Sequence, residues 1–238
     1  MKNLYEDIIT LRTGDFDRYL RITPAAVLDL FQEVAGAHAE ELGIGFDDSL
    51  KKGLLWVLTK VRFEIIKQPK IHSKVKVVTW PLSPSKITLR RDYEIYSPHD
   101  ELLIKGASEW VFIDSVNRKI MSTENAYPNM DFIEKNSIEG KFTKARMLEG
   151  ETESAQITAR YSNIDMNSHV NNTQYATFVL DAINPTENDV IKAVMIDYHK
   201  EVTCDSNLNI IYRRDEKLLS AKGEKNNEVM FNCNIIFE

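Results

Sequence analysis

The residues most suited to chemistry lie together in one polar stretch of the second half of the chain. It reads Asp-Met-Asn-Ser-His-Val-Asn-Asn from Asp165 to Asn172, and an apolar helical pattern follows it. The first backbone N–H groups of a helix have no partner within the helix, so this position can bind an oxyanion or a polarised carbonyl. The positive helix end also opposes protonation of a nearby imidazole, which favours a neutral His169 that can act as a base.

A purely structural role is the alternative for this stretch. Asn, Asp and Ser residues commonly cap helices, so Asn171 or Asn172 can be the N-cap and Asp165 a turn residue. That interpretation accounts for the caps and leaves His169 and Asn167 without a function. The pattern therefore favours a chemical site at this helix start.

One long helix and a series of strands are predicted for the first half of the chain. Thr23-Pro24 is typical of a helix start and Gly43 of a helix end. Between them, apolar residues at i, i+3, i+4 spacing predict a helix of about five turns. The period then changes to two, and the predicted strands are Leu54–Ile66, Lys74–Trp80, Ile87–Tyr96, Leu102–Asp114 and Arg118–Met121.

The second half repeats this plan in fewer residues, which indicates an internal repeat that aligns Asp17 with Asp165. A helix of roughly three turns is predicted around Tyr175. The predicted strands are Ser154–Tyr161, Val190–Val202, Leu208–Arg214, Leu218–Gly223 and Val229–Phe237. The charged segment Asp131–Glu153 is predicted to connect the halves, with room for a short helix.

The composition excludes several classes of protein. The 238 residues are 43% hydrophobic and 28% charged, ordinary values for a globular chain, and the net charge of −6 disfavours nucleic acid as the main partner. The longest apolar run, Leu54–Leu58, is far shorter than the ~20 residues of a membrane span. Glu6 and Asp7 stand where a signal peptide is apolar. We therefore expect a soluble, cytoplasmic protein.

Neither a metal nor a cofactor is predicted. His, Cys, Asp and Glu residues do not occur at HExxH or CxxC spacing, and the chain has no Gly-rich phosphate loop. Cys204 and Cys233 are too few for a disulfide scaffold and are interpreted as small core residues.

The polar stretch, together with Tyr175, resembles the active-site loop of acyl-acyl-carrier-protein (acyl-ACP) thioesterases. The Asn-x-His-Val-Asn-Asn core is its most specific part. Other landmarks of that family follow in the same order over nearly the whole chain. They are the helix from Thr23 to Leu42, Trp56–Pro69, Thr79-Trp80-Pro81, Arg91–Ile95 and Tyr198–Val202.

The resemblance implies an α+β fold, a tandem or double hotdog in which two long helices are each wrapped by a curved antiparallel β-sheet. The implied organisation is an N-terminal hotdog for acyl-chain binding at residues 1–130, a connecting segment at 131–150 and a catalytic C-terminal hotdog at 151–238. The implied activity is hydrolysis of the thioester that joins a fatty acyl chain to a carrier protein, which ends chain elongation in fatty acid biosynthesis.

The family's catalytic residues map onto Asp165, Asn167, His169 and Glu201. Either His169 or Glu201 would deprotonate a water, and the sequence leaves that choice open. Plant relatives carry a cysteine directly after the glutamate, where this chain has Val202, so we expect water to attack. The backbone N–H groups expected to stabilise the oxyanion are those of Val170, Asn171 and Asn172.

Candidates for the wall of the acyl pocket are Trp56, His38 and Tyr175. For His38, which lies on the apolar stripe of the first helix, a satisfied core or pocket-wall histidine is the favoured role. The implied partner is the acyl carrier protein, and a homodimer is a possible assembly. A protein of net negative charge that binds this acidic partner must concentrate positive charge locally. The candidate docking residues are Lys51, Lys52, Lys60, Arg62, Lys86, Arg90 and Arg91.

Two other functions are compatible with the same sequence. One is an acyl-coenzyme A thioesterase of the same fold, and the other is a hotdog module that binds acyl chains without cleaving them. The presence of Asn167, His169 and Glu201 favours catalysis, because a pure binding pocket has no use for a base.

Only the second half is expected to catalyse. The repeat places Tyr19 and Arg21 at the positions of Asn167 and His169, and the counterpart of Glu201 falls near Lys67. None of the three first-half residues is a general base near neutral pH, because Arg stays protonated and Lys and Tyr titrate near ~10. We therefore expect one active site per chain.

Overall fold

The chain forms two compact units, residues 1–141 and 142–238. The computed structural model describes residues 3–124, 126–140 and 142–238. Each unit consists of helices and one set of antiparallel strands, so the predicted α+β class is confirmed. The assignment of acyl-chain binding to residues 1–130 and of catalysis to residues 151–238 stays a prediction.

The first unit contains two helices and five strands. The helices are α1 (Pro24–Glu41) and α2 (Phe46–Lys51). The strands are β1 (Tyr5–Thr10), β2 (Leu54–Ile65), β3 (Lys74–Pro81), β4 (Leu89–Tyr96) and β5 (Leu102–Asp114). The strands lie in the order β1-β3-β4-β5-β2, and all their pairings are antiparallel.

The predicted boundaries of the long helix are confirmed. The Thr23 hydroxyl accepts a hydrogen bond from the Ala26 N–H group at 3.1 Å, which caps the first turn. Gly43 adopts the left-handed conformation, with φ of +67°, just beyond the helix end. The buried stripe of α1 faces the sheet, and Phe31 stacks on Tyr93 of β4 with ring centroids 4.2 Å apart.

The second unit repeats the first with a shorter helix. Its helix is α3 (Tyr175–Ile183), preceded by a 3₁₀ turn at Asn172–Gln174. Its strands are β6 (Glu153–Thr158), β7 (Ile191–Tyr198), β8 (Asn207–Asp215), β9 (Leu218–Lys225) and β10 (Glu228–Phe237). Their order, β6-β8-β9-β10-β7, is the order of the first unit strand for strand. The predicted internal repeat is therefore confirmed.

Three predicted elements differ from the structure. Arg118–Met121 is not a strand, because only Ile120 forms a bridge, to Ile113. The described residues of the connecting segment form no helix. The strand predicted at Val190–Val202 ends at Tyr198, because the Met230 carbonyl accepts both of the next two N–H groups and the ladder stops there.

The connecting segment is fixed by hydrogen bonds although it has no regular structure. In the first unit, the indole of Trp80 donates to the Lys135 carbonyl at 2.8 Å, and the Ser137 N–H group donates to Asp92 at 2.6 Å. In the second unit, the Ala145 N–H group donates to Asp197. Side chains of each sheet thus satisfy the backbone of a long irregular segment.

Two glycines of the first unit are expected to respond in opposite directions to alanine. Gly106 of β5 lies beneath the Phe31 ring, so a Cβ there would collide with that ring and lie 3.2 Å from the Arg62 carbonyl oxygen. Gly36 is exposed on α1 with open space around it. We predict that Gly106→Ala lowers the free energy of unfolding by about 1–3 kcal/mol. Gly36→Ala should raise it by about 0.5–1 kcal/mol.

Denaturant unfolding of both variants beside the parent protein measures the two changes. A Gly106→Ala variant as stable as the parent would contradict the described packing of α1 on its sheet.

Candidate active site

Two segments of the second unit form the candidate site. One is the loop Asp165–Asn172, and the other is the segment that follows β7. The Val170 N–H group donates to the Val202 carbonyl at 2.7 Å, and His169 forms an antiparallel bridge with Thr203. Residues more than 30 positions apart in the sequence are thereby brought side by side.

His169 and Glu201 meet across this pairing. Nε2 of His169 lies 3.3 Å from Oε2 of Glu201, and their side chains are 32% and 47% exposed, so water reaches both groups. The carboxylate of Glu201 thus faces the Nε2 side of the imidazole ring at ion-pair distance. The structure therefore brings together the two residues that the sequence proposed as alternative bases.

Asp165 organises the loop. Its Oδ1 accepts hydrogen bonds from the N–H groups of Asn167 at 2.8 Å and His169 at 3.4 Å. The Asp165 N–H group donates to the His169 carbonyl, and Ser168 adopts a left-handed conformation with φ of 65°. This tight turn presents the His169 side chain towards Glu201.

Asn167 lies exposed at the tip of the turn. Within the described residues its side-chain amide has no hydrogen-bond partner, while its backbone N–H group is held by Asp165. The amide is thus available to a ligand.

Backbone hydrogen bonds reduce the number of N–H groups in this loop that can stabilise an oxyanion. The N–H groups of Val170 and Asn171 donate to the carbonyls of Val202 and Asn163, so folding already uses both. Across the described part of the chain, the Asn172 N–H group has no acceptor. Of the three N–H groups predicted to stabilise the oxyanion, that of Asn172 is the candidate that remains.

The first unit contains the same turn without the catalytic side chains. Oδ1 of Asp17 accepts from the N–H groups of Tyr19 at 2.8 Å and Arg21 at 3.0 Å. The Asp17 N–H group donates to the Arg21 carbonyl, and Leu20 has a φ of 60°. The alignment of Asp17 with Asp165 is thus confirmed bond for bond.

The counterpart of Glu201 is Gln68, one residue beyond the Lys67 position that the sequence indicated. The Leu103 carbonyl accepts from the N–H groups of residues 66 and 67, as the Met230 carbonyl does from those of residues 199 and 200. The next residue is Gln68 in the first unit and Glu201 in the second. An amide is not a base, so the first-unit copy has neither basic partner.

The three pocket candidates have different surroundings. Trp56 is half-buried, and its indole donates to the Ile44 carbonyl at 3.0 Å. His38 is fully buried, and its Nδ1 lies 3.0 Å from the Arg91 guanidinium inside the first unit. Tyr175 is 4% exposed in the core of the second unit. A role of these residues in binding an acyl chain stays a prediction.

Three of the basic docking candidates have structural roles. Arg91 is only 5% exposed, because it lies against His38 inside the first unit. Arg62 and Arg90 donate to backbone carbonyls of residues 138–140. Lys60 is half-buried and pairs with Glu109 at 2.6 Å. The candidates that stay exposed are Lys51, Lys52 and Lys86.

The two cysteines differ, and the prediction was wrong for one of them. Cys233 is fully buried in β10, and burial raises the pKa of its thiol. Cys204 is exposed, because the strand that would have buried it ends at Tyr198.

Among residues 3–124, 126–140 and 142–238, no three His, Cys, Asp or Glu side chains are grouped so that they could hold a metal ion. No helix among these residues is long and apolar enough to cross a membrane.

Solved structures with the same architecture define this protein as a double hotdog. An acyl-ACP thioesterase from Bacteroides thetaiotaomicron superposes with a TM-score of 0.89 at 23% identity, over 99% of this chain and 98% of that one. A 12:0-ACP thioesterase from Umbellularia californica superposes with a TM-score of 0.86 at 18% identity, over 100% and 98% of the two chains.

Sequence models identify the family. The acyl-ACP thioesterase N-terminal domain matches residues 2–129, and the acyl-ACP thioesterase C-terminal domain matches residues 147–237. The chain therefore belongs to the acyl-ACP thioesterase family.

Curated plant relatives are similar over most of the chain. The chloroplastic oleoyl-acyl carrier protein thioesterase of Coriandrum sativum is 28% identical over 77% of this chain and 55% of its own length. The chloroplastic palmitoyl-acyl carrier protein thioesterase of Arabidopsis thaliana is 27% identical over 76% and 48%. The chain spans about half the length of these relatives.

The two thiols are predicted to react at very different rates. Cys204 is exposed, whereas Cys233 is buried with a raised pKa, and only thiolates attack a disulfide reagent. A chromogenic thiol reagent should therefore modify one thiol per native chain rapidly and the second only after unfolding in denaturant. Rapid reaction of two thiols in the native protein would contradict the placement of Cys233.

Proposed function

We propose that this protein hydrolyses the thioester of fatty acyl-ACP and releases a free fatty acid. The observation that carries the proposal is the contact of His169 with Glu201 on a loop that also offers the Asn167 amide. Membership of the acyl-ACP thioesterase family and the names of the plant relatives support the substrate class.

In the proposed reaction a water attacks the thioester carbonyl carbon. The pair formed by His169 and Glu201 takes one proton from this water while the new C–O bond forms. The tetrahedral intermediate then collapses, the C–S bond breaks, and the proton is delivered to the leaving sulfur. The products are a fatty acid and the thiol of the carrier protein's prosthetic arm.

The remaining residues of the loop support this chemistry. The exposed amide of Asn167 holds the attacking water or the carbonyl oxygen, and the Asn172 N–H group stabilises the oxyanion. Asp165 acts through the backbone: its Oδ1 keeps Asn167 and His169 in the turn. Asp17 does the same in a loop that has no base, which supports a positioning role for this aspartate.

The proposal divides the work between the two units. The second unit contains the whole catalytic constellation, and the first unit is proposed to bind the acyl chain. We place the protein in the cytoplasm, where the exposed thiol of Cys204 would stay reduced. The proposed partner is the acidic acyl carrier protein. Gel filtration tests whether the protein also forms the homodimer named as a possible assembly.

Alanine variants of the two contacting residues test the proposed chemistry. His169→Ala and Glu201→Ala should each lower the hydrolysis rate of acyl-ACP by at least ~10²-fold, the lower end of what general acid–base groups supply. The double variant should lose less than the product of the two, because the groups act as one unit. Rates on acyl-ACP and acyl-coenzyme A are measured in parallel.

His199→Ala is the matched control for these variants. This exposed histidine follows β7 directly, and its Nε2 lies 3.0 Å from the side-chain nitrogen of Asn232. It should hydrolyse acyl-ACP at the parent rate. Parent-like turnover in His169→Ala or Glu201→Ala would refute the mechanism, and faster turnover of acyl-coenzyme A would change the proposed substrate.

The duplicated aspartate provides a second test. Asp165→Ala and Asp17→Ala each remove an acceptor of two backbone N–H groups, so each should cost about 1 kcal/mol of unfolding free energy. Only Asp165→Ala should slow hydrolysis, and Asp165→Asn should restore most of the rate because it keeps Oδ1. Denaturant unfolding and steady-state hydrolysis measure the two effects. Equal loss of activity in both alanine variants would contradict the assignment of the site to the second unit.

A further inference from the structure

Two tyrosines of the second unit connect the elements on either side of the candidate site. Tyr198 is the last residue of β7, and its hydroxyl donates to the Asn172 carbonyl at 2.8 Å. This bond joins the end of a strand to the turn that follows the catalytic loop. Asn172 also carries the N–H group that folding leaves available to an oxyanion.

Tyr175 makes the reciprocal connection. It is the first residue of α3 and is 4% exposed, and its hydroxyl contacts the backbone amide of Val202. The carbonyl of Val202 accepts the Val170 N–H group at 2.7 Å. Val202, the residue that follows Glu201, is thus contacted from both the loop and α3.

The rings of Tyr175 and Tyr198 pack against each other. Their centroids are 5.2 Å apart in an edge-to-face arrangement, and Phe231 packs edge-to-face on Tyr175 at 5.0 Å. Movement of one ring therefore disturbs the other. Tyr175 of α3 contacts the segment after β7, and Tyr198 of β7 bonds the turn before α3.

The first unit has no tyrosine at either of the two corresponding positions. The offset that aligns Asp17 with Asp165 places Val27 at the position of Tyr175. The backbone bonds that align Gln68 with Glu201 place Ile65 at the position of Tyr198. The non-catalytic copy of the loop thus folds with two aliphatic residues where the catalytic copy has two phenols. Folding of the turn alone does not require the hydroxyl groups.

We infer that Tyr175 and Tyr198 are positioning residues of the candidate site, which hold Glu201 and Asn172 in the geometry needed for hydrolysis. This inference rests on the proposed function. The two hydroxyl groups keep the His169–Glu201 contact and the Asn172 N–H group correctly placed. In the described chain, neither hydroxyl contacts a partner outside the turn after the loop and the segment after β7.

The phenylalanine variants remove the hydroxyl groups and keep the ring packing. Tyr198→Phe and Tyr175→Phe should each lower kcat on acyl-ACP about 10-fold, in the range of losses caused by small misplacement of catalytic groups, with KM changed less than about two-fold. The matched control is Tyr93→Phe, which removes a buried hydroxyl that bonds Ser108 at 2.9 Å in the first unit. It should lower stability similarly and leave kcat unchanged.

A double-variant cycle separates positioning from general destabilisation. In the Glu201→Ala background, Tyr175→Phe should have no further effect on kcat, because the residue it positions is absent. An equal fold-loss in both backgrounds, or parent-like kcat in both phenylalanine variants, would overturn the inference. The proposed function fails separately: it is refuted if Glu201→Ala and His169→Ala retain activity, whatever the tyrosine variants do.

Discussion

The candidate site depends on one backbone pairing in the second unit. The hydrogen bond from the Val170 N–H group to the Val202 carbonyl joins the loop before α3 to the segment after β7. His169 and Glu201 lie on opposite sides of this pairing, with His169 Nε2 3.3 Å from Glu201 Oε2. The Tyr198 hydroxyl at the end of β7 donates to the Asn172 carbonyl, so the strand end also lies next to the turn before α3.

Duplication of the loop separates what the fold needs from what the chemistry needs. Both copies keep the aspartate, the left-handed residue and the backbone bonds of the turn. They differ in the side chains that the turn presents: Tyr19 and Arg21 in one copy, Asn167 and His169 in the other. The same turn thus carries reactive side chains in one of its two copies and not in the other. This is expected when function depends on a few side chains and not on the fold itself.

Local signals made much of this fold predictable from the sequence. A threonine cap, a proline in the first turn and a glycine beyond the last turn fixed the ends of α1, and alternating apolar residues located most strands. The polar loop is recognisable as a candidate site because His169 and Asn167 have no role in a simple helix cap. The repeat was found because the same plan of elements occurs twice.

Long-range contacts explain what could not be predicted. The alternation that suggested a strand through Val202 continues past Tyr198, but the Met230 carbonyl takes two successive N–H groups and ends the ladder, which leaves Cys204 exposed. The sequence offers Arg91 as a docking residue, whereas the side chain is buried against His38, 53 residues away.

Catalysis is assigned to the second copy of the loop alone. Steady-state hydrolysis of acyl-ACP by Arg21→Ala and His169→Ala, which change the same position of the two copies, distinguishes the copies. Parent-like turnover is expected for Arg21→Ala, and a loss of at least ~10²-fold for His169→Ala. Equal losses in two folded variants would contradict it.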